Sequence, residues 1–266
     1  MISRLHVLFS RSWYRGRLQS TAIAEHSKGD SYTIDAALRD HFAPVLRAHG
    51  FKGSGRHFRR VSAGVFQAVN IQGSMGGGMF AVNLGIHPLG LPVFLDETLD
   101  VKKARELECE FRRRLSKDGA DQWWSYFDTR ASVIEAAQEA ADVFERHGMP
   151  LFHRQADHDG PLFTLTPEQY EFEGARPLSG FANSGPRMAL ALARIRKQQG
   201  KLTEARHFAL IGLTPDSAGW LGHTLLRELA DDTESYRRAG SEGITTKLVA
   251  EPSIAMSAMG RMRPVR

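Results

Sequence analysis

Residues 65–87 read VFQAVNIQGSMGGGMFAVNLGIH, and the pattern in this stretch decides the fold class. Phe80, Val82, Leu84 and Ile86 alternate with other side chains, which is the period of a strand with one buried face. Val65, Val69 and Ile71 likewise share a face upstream, interrupted by Gln67. Between the two runs lies GSMGGG (73–78), a glycine-dense piece that reads as a flexible hairpin loop. Two strands joined this tightly run antiparallel.

Working outward, Arg56–Val61 reads as a preceding strand. Before it, Ile34, Leu38, Phe42, Val45 and Leu46 recur at helical spacing behind a Ser31 or Thr33 cap, with Pro44 expected to kink or split the helix and Gly50 to stop it. Downstream, a loop punctuated by Pro88, Gly90 and Pro92 leads to Leu107–Leu115. This is read as a fourth strand, although VKKARELE (101–108) is an equally good helix pattern. DQWWSYFD (121–128) is a fifth strand or a packed loop. Ser132–Arg146 is a helix, with Gly148 and Pro150 expected to end it. Beyond a polar, Gly/Pro-rich stretch at 151–183, Arg187–Gln199 and Leu202–Leu213 form a helical hairpin turned at Gly200, and Trp220–Leu229 is a third helix. The expected fold is α+β: an antiparallel sheet of four to five strands packed by helices, followed by a C-terminal helical hairpin. The division is a basic, disordered leader (1–30), an α+β domain (31–155), a helical C-terminal region (156–240) and a loose tail (241–266).

Composition narrows the function classes. The 266 residues hold one cysteine, Cys109, so neither an intramolecular disulfide framework nor a multi-thiolate zinc site can form. A reducing, cytoplasmic setting fits. The net charge is +5, but the first 30 and last ten residues each carry +3, which leaves residues 31–256 at −1. A basic total carried by the two ends is poor support for a phosphate-binding face on the folded body. No apolar run is long enough to span a membrane.

The candidate site is a sheet face. Phe66, Ala68, Asn70 and Gln72 project opposite to Val69 and Ile71, while Ala81, Asn83, Gly85 and His87 project opposite to Val82 and Leu84. Amides and glycine pack poorly on a pleated surface, so three amides and a histidine on one face need a reason. One is a binding surface in which Asn70, Gln72, Asn83 and His87 meet a ligand and Arg112 or Arg114 adds an anion contact. The other is an ordinary solvated face. The Gly73–Gly78 loop lacks the lysine and Ser/Thr of a phosphate loop. His153, Asp157, His158 and Asp159 have ligand-type side chains on a stretch read as loop, which seldom fixes metal geometry. Cys109 is expected on one buried face with Leu107 and Phe111, acting as a small hydrophobe. His57–Arg60 with Arg112–Arg114, beside Phe58 and Phe66, forms a basic and aromatic patch of the type that holds single-stranded nucleic acid; a solvated charge run is the competing account. Of Trp123 and Trp124, one is expected in the core and the other exposed.

FAPVLRAHGFKGSGRHFRR (42–60), FQAVNIQGS (66–74), FAVNLGI (80–86), RRRLS (112–116) and DQWW (121–124) come in an order that resembles the domain of unknown function 4304 family, over about residues 33–150. The resemblance implies a small bacterial α+β domain and no established activity. GKLTEA (200–205), with Leu192, Ala193, Ala205 and Gly212, also resembles one tetratricopeptide-type unit. A lone unit cannot bury its own apolar face, so it should pack on the main domain.

These readings point to a non-catalytic binding or adaptor module that uses the amide-rich face or the helical hairpin. The alternative is a hydrolase or nucleic-acid-processing enzyme built on His87, Glu110 and Arg114. No cofactor or metal is called for. The expected partner is a protein or a small polar ligand, with nucleic acid less favoured and no membrane.

Overall fold

Thr33 starts the first helix, α1 (residues 34–48), its hydroxyl accepting from the Ala36 N–H at 3.2 Å. The computed structural model describes residues 32–93 and 97–232, so the expected leader at 1–30 and tail at 241–266 lie outside the described residues. Pro44 does not break α1. A π turn at Leu38–Phe42 directly precedes it, with Ala43 N–H bonding the Leu38 carbonyl, and the helix resumes over Ala43–Ala48. A proline withdraws one N–H and crowds the carbonyl four residues back, and a widened turn relieves that crowding. Gly50 then closes the helix at φ +81°: its N–H bonds the Arg47 carbonyl at 2.9 Å and the Phe51 N–H bonds Leu46 at 3.0 Å. This is the paired-carbonyl ending that a left-handed glycine permits.

Among the described residues the sheet has six strands: β1 Lys52–Ser54, β2 His57–Ser62, β3 Val65–Gly73, β4 Met79–Pro88, β5 Phe111–Arg114 and β6 Trp124–Ser125. The first five form an antiparallel meander in chain order, and β6 pairs with the start of β4. The α+β reading therefore holds, with β1 added; KGS carries no apolar alternation by which it could have been recognised. Ala63 and Gly64, at φ +49° and +75°, turn the β2–β3 hairpin, and the glycine loop turns β3 into β4 as expected.

The expected fourth strand over Leu107–Leu115 shrinks to Phe111–Arg114. A 3-10 turn at Glu106–Glu108 precedes it, leaving Leu107 56% exposed. A bend at Glu110 then separates Cys109 from the start of β5, so strand alternation does not run through it and Cys109 does not share Phe111's side. Phe111 joins the main core, while Cys109 packs with Phe66, Ala68 and Ala104 on the opposite sheet face.

Phe58, Val69, Ile71, Phe80, Val82, Leu84, Ile86 and Phe111 fill the main core beneath α1 and the second helix, α2 (residues 130–156). The expected stop of that helix at Gly148 and Pro150 is corrected. After Arg130–Val143, a π turn at Phe144–Gly148 again precedes a proline, and the helix continues over Met149–Ala156. A chain of rings, Phe42–Phe144–Phe152–Phe181 at centroid spacings of 5.8, 6.3 and 6.2 Å, ties α1 to α2 and onward to the C-terminal part.

Short helices α3 (Pro161–Thr164) and α4 (Pro167–Glu173) occupy the stretch read as polar loop. The expected helical hairpin follows as α5 (Gly185–Gln198) and α6 (Leu202–Gly212), turned at Gly200 with φ +73°, and α7 (His223–Asp231) comes next. The cluster of buried apolar side chains that fills the sheet's covered face also includes Leu192, Phe208 and Leu226 from these helices. Ala182 bridges to Arg112 on β5, with paired N–H to carbonyl bonds of 2.9 and 3.3 Å.

Candidate functional site

Register places the predicted side chains. Asn70 on β3 stands opposite both His57 on β2 and Asn83 on β4, and Asn83 in turn stands opposite Arg114 on β5. Directly opposed residues project from the same side of a sheet, so these four form a row across the face that α1 and α2 leave uncovered. Gln72 lies two residues along from Asn70, and Arg112 two along from Arg114, on the same side.

The row is joined by hydrogen bonds. Asn83 Nδ2 donates to Asn70 Oδ1 at 3.2 Å and to Gln72 Oε1 at 3.0 Å. Arg114 donates from Nε to Asn83 Oδ1 and from Nη2 to Gln72 Oε1, both at 3.3 Å, and from Nη1 to Asp121 at 2.6 Å. Asn70 Nδ2 reaches His57 Nδ1 at 3.1 Å. The Trp123 ring lies under the guanidinium, 4.6 Å from its carbon to the ring centre, and its indole N–H bonds Asp121 at 3.1 Å. Trp124, by contrast, is buried and stacks on Phe80 at 5.6 Å, so the pair divides between surface and core as its alternation implied. Asn70, Asn83, Arg114 and Trp123 are half-buried and Gln72 is exposed. This end of the face therefore presents amide and guanidinium groups beside one indole, all accessible.

Two predicted members are placed differently. His87 projects from the same side, opposite Phe66, but the segment running from β4 to β5 roofs this end of the sheet and the ring is fully buried. Its Nε2 donates to the Leu91 carbonyl at 2.8 Å and its Nδ1 is enclosed without a partner. Burial holds the imidazole below its usual value of 6.5, so it stays neutral near pH 7. Arg112 faces Glu106 at 3.8 Å, and burial raises the Glu106 carboxyl. Under the same roof, Gly85 accepts Cys109 against its backbone, and burial pushes that thiol well up. The signal for the roof was weak in sequence, since Leu99, Val101 and Ala104 are scattered through charged residues.

The His87, Glu110 and Arg114 grouping does not assemble. Arg114 pairs with Asn83, four residues along β4 from His87, a separation of about 13 Å. Glu110 is buried and held by Arg187, whose Nε and Nη2 donate at 2.8 and 3.2 Å. Phe58 and Phe66 are buried as well, so the aromatic patch read for single-stranded nucleic acid is not presented to solvent. Arg60 turns to the covered face, where it bonds Gln67 at 2.6 Å. Among the described residues, no three His, Cys, Asp or Glu side chains converge as metal ligands, and no helix is long and apolar enough to cross a membrane.

Residues 42–154 match the family model described as domain of unknown function 4304, which covers the sheet, α1 from Phe42 onward and nearly all of α2. No curated protein and no solved structure matches the chain.

Proposed function

We propose that this chain is a non-catalytic binding module of a reducing, cytoplasmic and bacterial setting, and that it recognises a protein segment or small polar ligand on the open sheet face. The observation that carries the reading is the accessible row formed by Asn70, Asn83 and Arg114 with Gln72 and Trp123. Amides in mid-strand give up packing, and here they converge from two strands, β3 and β4, on a part of the sheet that neither helix nor roof covers among the described residues. Amides offer both donors and acceptors, the arginine adds a charged fork, and the indole supplies apolar area beside them. These are the groups with which a partner's backbone, carboxylate or side-chain amide is met.

The test is affinity capture with the wild-type chain and with the triple variant Asn70→Ala, Gln72→Ala, Asn83→Ala, identifying co-purified proteins, nucleic acids and metabolites together. A species held by the wild type and lost by the variant is the expected result. Identical capture by both, with the variant melting as a folded protein, removes the proposed surface.

A further inference from the structure

A cleft lies at the β1 edge of the sheet. β1 ends its pairing with β2 at Lys52 and Arg59, while β2 runs on to Ser62. The β1 side of residues 60–62 therefore has no ladder partner among the described strands, and it leaves backbone hydrogen-bonding groups at a cleft wall. The cleft measures about 540 Å³ and is lined by Gly50, Lys52, Gly53, Arg59, Arg60, Val61, Val101 and Lys102. That lining holds four cations and no acid.

None of the four is matched by a carboxylate among the described residues. Arg59 donates to the Lys102 backbone carbonyl. Arg60 donates to the His49 carbonyl and Gln67 at 2.6 Å each, lies 4.6 Å from the Phe51 ring centre, and keeps its Nη2 buried with no acceptor. Lys52 and Lys102 are exposed at the rim. Elsewhere on the described surface the basic side chains commonly find an acid: Arg56 pairs with Asp35, Arg114 with Asp121 and Lys117 with Glu139. Like charges gathered around one concavity repel one another and focus a positive potential into it. Burial disfavours the charged form of Arg60, and an anion in the cleft reverses that effect.

We propose that this cleft binds a small polyanion, a phosphorylated metabolite of nucleoside-diphosphate size. The volume suits a single small molecule. The spread of four cations suits more than one anionic group, with Arg59 and Arg60 as forked donors to phosphoryl oxygens and the lysines as mobile charges. Val61 and Val101 give an apolar wall for the organic part. The site is separate from the amide row and stands or falls independently of it.

Calorimetric titration of the full chain at low salt, with inorganic pyrophosphate, ADP and adenosine as probes, tests this. Saturable binding of pyrophosphate and ADP but not adenosine is expected, weakening as salt is added. The double variant Lys52→Gln, Lys102→Gln replaces two exposed side chains and should weaken ADP by roughly tenfold or more, while Lys117→Gln, which removes a cation outside the cleft, leaves it unchanged. No saturation by either anion, equal affinity in the double variant, or adenosine binding as tightly as ADP would each overturn the proposal.

Discussion

Asn83 on β4 stands opposite Arg114 on β5, and the guanidinium donates from Nε to the amide oxygen at 3.3 Å while lying 4.6 Å from the Trp123 ring centre. The arginine thus links the amide row to the indole. Arg114→Ala removes this cover, and Trp123 should emit at longer wavelength and become more accessible to acrylamide. Because the side chain is partly exposed and its acid partner Asp121 is open to solvent, the stability loss should stay near 1 kcal/mol. An unchanged emission spectrum and quenching constant would show that the stack does not persist in solution.

Gly85 allows the roof to sit close. A Cβ placed there would lie 2.7 Å from Cys109 Sγ and 3.2 Å from Glu106 Cα. Gly85→Ala should therefore destabilise by about 1–3 kcal/mol, because backbone as well as side chain must move. In the parent protein Cys109 should react with a thiol reagent only at the rate of opening, and in the variant that rate should rise. Prompt labelling of the native parent would contradict the roof.

Ala63 holds φ +49° in the tight turn between β2 and β3, followed by Gly64 at +75°. A left-handed residue with a Cβ costs about 1–2 kcal/mol, and Asn bears that conformation more easily than Ala. Ala63→Asn should raise the denaturant midpoint, by about 0.5–1 kcal/mol in stability, with no change in the slope. A fall in the midpoint would mean that the turn adopts another geometry.

Arg196 on α5 is fully buried and serves as a staple. It donates to the Phe163 carbonyl at 2.8 Å, to the Leu165 carbonyl and to Gln199, and it pairs with Glu204 of α6 at 3.0 Å. Arg196→Ala takes the side-chain donor from the Leu165 carbonyl, leaves Phe163 to Gln199 alone and Glu204 to Lys201 alone, and should cost about 3 kcal/mol. Arg196→Met with Glu204→Gln should recover part of that loss, because no uncompensated charge is left. A double variant no more stable than the alanine variant would point to the carbonyl bonds, not the charge, as the main contribution.

His87 should make the fold acid-sensitive. Burial depresses its folded-state value below the ordinary 6.5, so the unfolded chain binds the proton more readily. Its contribution is intact above pH 6.5 and is lost as pH falls below that value toward the depressed one. His57 is lowered in the same direction, so His87→Gln should reduce the slope of stability against pH in this window without abolishing it. Chemical denaturation at several pH values measures it, and an unaltered slope would place the titration elsewhere.

The three strands between Arg56 and His87, the hairpin loop after Gln72, the stop at Gly50 and the turn at Gly200 were all legible in the linear chain, whereas β1, α3 and α4 were not. Each legible feature depends on residues a few positions apart. Strand alternation also specified which side Asn70, Gln72, Asn83, Arg112 and Arg114 would take, because the pleat fixes that locally once a strand forms.

Packing between distant segments decided the rest. It continued α2 past Pro150 through a widened turn, laid the segment carrying Cys109 over Gly85, and so buried His87 while leaving Asn83 half-open. It also set Lys52, Arg59, Arg60 and Lys102 around one cleft, although they lie up to fifty residues apart in sequence. Periodicity reports which way a side chain points, but burial depends on what crosses above it, and that is fixed only when the whole chain has packed.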